Sequence, residues 1–121
     1  MDIESLYTED LHSKGAEMRV KDQFGEELDM YIALAGLDST AYRKAVAKMK
    51  RDMLDGVDAD EARRDALVAV TLDWRGFMSN GSELEFSKER ALELYKNAPY
   101  IVDQADNFLT KRVNFMPSKD A

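Results

Sequence analysis

The chain has 121 residues, 45% of them hydrophobic, which suffices for one domain with a single core and is too few for two. It contains no cysteine, so disulfides, thiolate-bound zinc and thiol catalysis are excluded. A net charge of −7 disfavours binding to nucleic acid phosphates and to anionic membranes. Because neither a secretory signal nor a membrane-spanning apolar run is visible, we expect one domain over residues 1–121 in the cytoplasm.

Two strands are predicted near the start of the chain. Apolar and charged residues alternate over residues 16–20, and apolar residues recur at every second position over residues 28–34. Asp and Gly in the intervening segment favour a chain reversal. We therefore expect an N-terminal segment over residues 1–14 and an antiparallel hairpin over residues 15–35. A two-stranded ribbon is marginally stable alone, so its apolar face should cover helices.

Apolar side chains at helical spacing predict about four helices over residues 38–114. Ser39, Asp58 and Ser87 stand where N-caps are expected, and Pro99 suits a first helical position. The second helix is predicted to continue to the Arg75-Gly76 stop. Its apolar face would then carry Trp74 and Phe77, followed by a turn at Asn80-Gly81. These elements predict an α+β fold, mostly α, in which the hairpin packs on a bundle of about four helices, with a short tail over residues 115–121.

The sequence offers little for catalysis. His12 is the only histidine, which excludes a His-rich metal site within one chain, and its polar surroundings predict a solvated side chain with little chance of a catalytic role. The glycines are scattered and form no phosphate-binding loop. The acidic residues of 55–61 lack the spacing of a calcium loop and are better explained by a helix start. We expect no enzyme, no cofactor and no metal.

Some of the apolar surface is predicted to serve a partner. The chain has seven methionines, and methionine suits adaptable contact surfaces because its thioether side chain repacks easily. Most apolar residues are expected in the core. The predicted partner-binding exceptions are Phe108, Leu109 and Phe115, because Phe115 follows the last helix and would have few neighbours to pack against.

Several short sequence motifs, spread over nearly the whole chain, resemble those of a known protein family. They are Gly36-Leu37-Asp38-Ser39 with Tyr42-Arg43, then Leu72-Asp73-Trp74-Arg75-Gly76-Phe77, Asn80-Gly81, Phe86-Ser87-Lys88-Glu89-Arg90-Ala91-Leu92-Glu93-Leu94-Tyr95, Pro99-Tyr100-Ile101, Gln104, Phe108 and Arg112-Val113-Asn114-Phe115. In these motifs the chain resembles the tail assembly chaperones of long-tailed bacteriophages and prophages of the lambda-like siphophage type. Each motif can also be explained by local structure, as Asn80-Gly81 is by a turn.

The resemblance implies a non-enzymatic protein of the bacterial host cytoplasm that is absent from the mature virion. It implies binding to the tape measure protein, which is kept soluble while the tail tube assembles around it. The tail tube protein and a frameshifted long form of the chain are further implied partners. Because many copies would bind one long client, and because the hairpin has an unpaired edge, we also expect weak homo-oligomers. No nucleic acid or membrane partner is expected.

A different function class is a small phage-derived helical DNA-binding or regulatory module. The first predicted helix is basic, through Arg43, Lys44, Lys48, Lys50 and Arg51, and two helices joined by a turn invite comparison with a helix-turn-helix. The second helix, however, begins with carboxylates over residues 58–61, which would face the groove of DNA. A small enzyme would need catalysis by carboxylates alone, marked by a deep pocket and raised carboxyl pKa values.

Overall fold

The structure, a computed structural model, describes residues 2–117. Within this range the chain is α+β, with five α-helices and a small antiparallel sheet of three strands. The fold also has a short ribbon of two strands, β4 (Met78–Ser79) and β5 (Ser82–Glu83). Two 3₁₀ turns lie at Ile3–Leu6 and Arg112–Phe115. The main elements are α1 (Glu9–Lys14), β1 (Ala16–Lys21), β2 (Glu27–Leu34), α2 (Thr40–Leu54), α3 (Ala59–Val70), β3 (Thr71–Arg75), α4 (Lys88–Asn97) and α5 (Pro99–Leu109).

The three-stranded sheet has β2 at its centre, with antiparallel neighbours β1 and β3. Side chains of alternate residues point to opposite faces of a strand, so the predicted alternation places one apolar face inward. Ile32 and Leu34 on β2 are fully buried on this face, together with Met18 and Val20 on β1. The opposite face carries charged side chains. The inner face of the sheet therefore forms one wall of the core.

The prediction that the second helix reaches Arg75 is wrong. The helix α3 ends at Val70, and the next five residues form β3, in which Trp74 lies opposite Ile32 of β2. Pairing with β3 satisfies the edge of β2 that a two-stranded ribbon would leave open. Gly76 allows β3 to end close to β2, because it has φ +83° and a Cβ there would collide with the carbonyl oxygen of Asp29.

The predicted helix starts are confirmed. The Ser39 hydroxyl accepts a hydrogen bond from the backbone N–H of Tyr42, and Ser87 plays the same role for α4. The Asp58 carboxylate accepts from two backbone N–H groups of α3, and Pro99 begins α5. These caps satisfy N–H groups that have no partner inside their own helix.

Helices α2 and α3 pack on each other, α3 contacts α4, and α5 lies along β1. The carboxamide of Gln104 on α5 joins this helix to the edge of β1. It accepts a hydrogen bond from the Lys21 N–H over 2.9 Å and donates one to the Lys21 carbonyl oxygen over 2.6 Å. The side chain thus pairs with the strand as a neighbouring strand would, so the edge of β1 is not free at this position.

Residues 1–14, predicted only as a segment, contain the short helix α1 with a buried His12. Of the predicted tail, residues 118–121 lie outside the described residues. None of the helices within 2–117 is both long and apolar enough to cross a membrane.

Candidate functional site

An open apolar groove lies between the sheet and the helices α4 and α5. Its volume is about 520 Å³. The groove floor is formed by Trp74, Phe77 and Leu84, and the groove walls by Met30, Met78, Leu94 and Tyr100. We name this surface the sheet–α4 groove.

Trp74 is the centre of the groove floor and is only 8% exposed. Its ring stacks on Phe77 with the centroids 4.4 Å apart and meets Phe86 edge-on at 5.5 Å. The indole N–H donates a hydrogen bond to the carbonyl oxygen of Leu84 over 2.8 Å. A buried indole needs such a partner, so the floor is fixed by packing and by a hydrogen bond together.

The groove walls are accessible to a partner. Met78 is 59% exposed and Tyr100 is 38% exposed, whereas Met30 and Leu94 are half-buried. Large apolar side chains left exposed next to one another are typical of binding surfaces. Methionine on two sides of the groove adds a surface that can adapt to the shape of a bound side chain.

A two-residue turn holds Met78 in place. Asn80 and Gly81 have φ values of 51° and 81°, the positive pair that a type I′ hairpin turn requires, and β4 pairs with β5 across it. The Leu84 N–H donates to the carbonyl oxygen of Phe77, which continues the ribbon onto the groove floor. The predicted turn at Asn80-Gly81 is confirmed.

A second cavity, of about 260 Å³, lies between α2, α3 and α5. Leu37, Met49 and Leu109 supply part of its apolar lining, and the guanidinium of Arg63 bonds the Asp106 carboxylate over 2.6 Å at its edge. This cavity is smaller than the sheet–α4 groove and carries an ion pair, so it is less suited to a long apolar partner.

The structure separates the three residues that were predicted to bind a partner. Leu109 is buried and faces the second cavity. Phe108 is half-buried and lines a cleft beside β1. Phe115, predicted to lie exposed near the tail, is 5% exposed and packs between Phe108 and His12, with ring centroids 5.4 Å and 4.7 Å away. The expectation that Phe115 is exposed is wrong, because the 3₁₀ turn folds it back onto α1.

The expectation of a solvated His12 is also wrong, because the side chain is fully buried. Its Nδ1 accepts a hydrogen bond from the backbone N–H of Asp38 over 3.0 Å, which places the proton of the neutral ring on Nε2. Nε2 lies 3.6 Å from the Asp38 carboxylate and has no hydrogen-bond partner among residues 2–117. Gly36 makes room for the ring, since a Cβ there would overlap it.

The Asp38 carboxylate joins both ends of the described chain. It accepts hydrogen bonds from the guanidinium of Arg112 and from the hydroxyl of Thr8. The Arg112 bonds, followed by the Thr8 bond, lower the pKa of Asp38 to about 2. Burial lowers the pKa of His12 below its ordinary value of 6.5, with a further lowering by Arg112 and an opposing effect of the Asp38 charge. The Asp38 carboxylate is thus paired within the fold, which favours a structural role.

The basic side chains of α2 are partly engaged in ion pairs. Lys48 bonds Asp52 one turn further along the same helix over 2.6 Å, and Arg43 lies 3.4 Å from Glu9 on α1. Helix α3 begins with exposed carboxylates at Asp58, Asp60 and Glu61, as expected from the sequence. Between residues 2 and 117, no three His, Cys, Asp or Glu side chains are grouped so that they could hold a metal ion.

Sequence reasoning missed the sheet–α4 groove because it placed Trp74 and Phe77 on a helix. The signal for a strand was present in the β-branched pair Val70-Thr71 and in the Asn80-Gly81 turn that follows. Comparison with family models, with curated proteins and with solved structures finds no match to this chain.

Proposed function

We propose that the chain is a tail assembly chaperone of a long-tailed bacteriophage or prophage, which binds the tape measure protein in the sheet–α4 groove. The observation that carries the proposal is the groove itself, with exposed Met78 and Tyr100 above a fixed Trp74. Four of the motifs that carry the resemblance, 72–77, 80–81, 86–95 and 99–101, contribute to its floor, its turn or its walls. The expected arrangement, an N-terminal hairpin over a bundle of about four helices, belongs to the same proposal.

The groove suits an amphipathic helix. Such a helix presents apolar side chains at i, i+3, i+4 and i+7, and it binds by laying this stripe into an apolar groove. A long helical client offers many such stripes, so several weakly bound copies can cover it. The acidic exterior of the chaperone, with net charge −7, would then keep the covered client in solution.

The proposal includes the cellular setting implied by the resemblance. The chaperone acts in the cytoplasm of the bacterial host, hands the tape measure protein to the tail tube protein, and is absent from the mature virion. Weak self-association and a frameshifted long form are further parts of it. Because Gln104 occupies the β1 edge at Lys21, this position is closed to strand pairing with a second copy.

Co-expression with the tape measure protein of the same genome tests this proposal. The soluble fraction of the tape measure protein is measured with wild-type chaperone, with Met78→Ser/Tyr100→Ser, and with the control Phe24→Ser/Leu54→Ser. The control removes two apolar side chains that are 82% and 87% exposed but lie outside the groove. Thermal unfolding of each purified variant verifies that it folds.

We expect wild type and control to keep the tape measure protein soluble, and the groove variant to lose most of this effect. A folded groove variant that is as effective as wild type would contradict the groove as the docking surface. No effect of wild type would contradict the chaperone function. Binding of the wild-type chain to duplex DNA with a steep salt dependence would support the DNA-binding alternative instead.

A further inference from the structure

The sheet–α4 groove is bordered by carboxylates. Glu93 on α4 lines it, and Glu89 lies one turn earlier on the same side of the helix. Glu83 on β5 is directly opposite Met78, and residues paired in this way project to the same face of a ribbon. We name Glu83, Glu89 and Glu93 the acidic rim.

The acidic rim carries a net negative charge. Within the described part of the chain, none of the three carboxylates forms an ion pair. Arg90 is the one cation that lines the groove there, and its guanidinium donates to the backbone carbonyl of Glu85 over 2.6 Å. Lys96 lies one turn after Glu93 on α4, so the border has three carboxylates against two cations.

The nearby Lys88 does not change this balance, because its ammonium is turned away from the rim. It donates to the carbonyl oxygens of Val68, Ala69 and Thr71 at the C-terminal end of α3, over 2.9, 3.3 and 2.6 Å. Cations at this end of a helix satisfy carbonyl groups that have no partner inside the helix. Lys88 thus has a structural role, and the groove keeps its negative border.

An apolar groove with an acidic border selects the charge of its partner. The long stems of lysine and arginine can lie along apolar walls while their charged ends reach carboxylates at the edge. A helix with acidic flanks would be repelled by the same carboxylates. Charge complementarity therefore favours a basic amphipathic helix over an acidic one.

We propose that the sheet–α4 groove binds an amphipathic helix whose apolar stripe is flanked by lysine or arginine, and that the acidic rim provides this selectivity. The inference rests on the proposed function of the groove, and it specifies which segments of the tape measure protein the chaperone covers. One exposed ion pair changes an equilibrium constant by about 1.5- to 5-fold, so three rim carboxylates give a preference of roughly tenfold.

Two synthetic peptides test the inference. Each is a helix of about five turns with the same stripe of leucine and methionine and no tryptophan, and the flanking residues are lysine in one and glutamate in the other. Binding is followed through the fluorescence of Trp74, the single tryptophan of the chain, which forms part of the groove floor. The protein variants are Glu89→Gln/Glu93→Gln and the control Glu4→Gln/Glu61→Gln, which changes the same charge at exposed residues outside the groove.

We expect the lysine peptide to bind wild type roughly tenfold more tightly than the glutamate peptide, with a smaller preference at high salt. Glu89→Gln/Glu93→Gln should reduce the affinity for the lysine peptide about fivefold, and the control should change it less than twofold. Equal binding of both peptides, or equal effects of the two double variants, would overturn the inference and leave the docking groove intact. If neither peptide binds although the tape measure protein is kept soluble, the inference fails and the proposed function stands. If neither peptide binds and the tape measure protein is not kept soluble, both the inference and the proposed function are overturned.

Discussion

The indole N–H of Trp74 donates a hydrogen bond to the carbonyl oxygen of Leu84 over 2.8 Å, and this bond links the end of β3 to the segment after β5. Because Trp74 also lies opposite Ile32 on β2, it belongs to the core and to the groove floor at once. The stability of the fold and the shape of the groove therefore depend on the same side chain.

Trp74→Ala should lower the free energy of unfolding by about 3 to 5 kcal/mol, because it leaves a large cavity beneath the groove. Trp74→Phe keeps most of the buried ring and loses the indole donor, so we expect a loss of about 1 to 2 kcal/mol. Urea unfolding followed by circular dichroism measures both. A Trp74→Ala protein as stable as wild type would show that the ring is not part of the core.

Tyr95→Phe should lower the free energy of unfolding by about 1 kcal/mol. The Thr71 hydroxyl donates to the Leu67 carbonyl, so the Tyr95 hydroxyl donates to Thr71 Oγ over 2.8 Å, and both side chains are buried. Burial raises the pKa of Tyr95 to about 12, the Thr71 bond acting in the opposite direction. Thr71→Val removes both hydrogen bonds and should cost about twice as much. If thermal unfolding shows no difference among these proteins, the two hydrogen bonds do not stabilise the fold.

Phe115→Ala should destabilise the fold by about 3 kcal/mol, since the ring packs between His12 and Phe108. Val113→Ala is the matched control. It changes an exposed side chain in the same 3₁₀ turn and should alter the free energy of unfolding by less than about 0.5 kcal/mol. Equal stability of Phe115→Ala and Val113→Ala in urea would show that the Phe115 side chain is not buried in the core.

Stability should decrease as the pH falls below 6.5. In the folded protein burial lowers the pKa of His12, so the unfolded chain binds a proton more readily, and each step to lower pH favours unfolding. The effect of Asp38 is separate, because its stabilisation is lost only between pH 3.8 and about 2. The free energy of unfolding is measured at about pH 7.5 and about pH 5.5.

His12→Asn provides the control for this pH dependence. An asparagine oxygen can accept the hydrogen bond from the Asp38 N–H, and the amide does not titrate. We expect His12→Asn to be less stable than wild type at neutral pH and to show a smaller decrease between the two pH values. An equal decrease in both proteins would mean that His12 does not cause it.

The helix starts could be predicted from the sequence because capping is local. Ser39, Asp58 and Ser87 each bond an N–H group two or three residues away, and a single turn of chain contains all the information. Asn80-Gly81 was predictable for the same reason, since the turn requires two positive φ values in succession.

The groove floor could not be predicted because its cause is not local. Trp74 and Phe77 are three residues apart, a spacing that fits a helix face as well as the end of a strand, and the open edge of β2 decides between the two. The burial of His12 and Phe115 was missed for a related reason. Their rings stack although they lie near opposite ends of the chain, and no periodic pattern signals such a contact.

Site-specific photo-crosslinking tests the central claim most directly. A photoreactive amino acid replaces Met78 at the groove wall in one protein and Leu54 at the end of α2 in another, and each is co-expressed with the tape measure protein. We predict a covalent adduct with the tape measure protein from position 78 and none from position 54. Adducts from position 54 alone, or from neither position while the two proteins still co-purify, would contradict docking in the sheet–α4 groove.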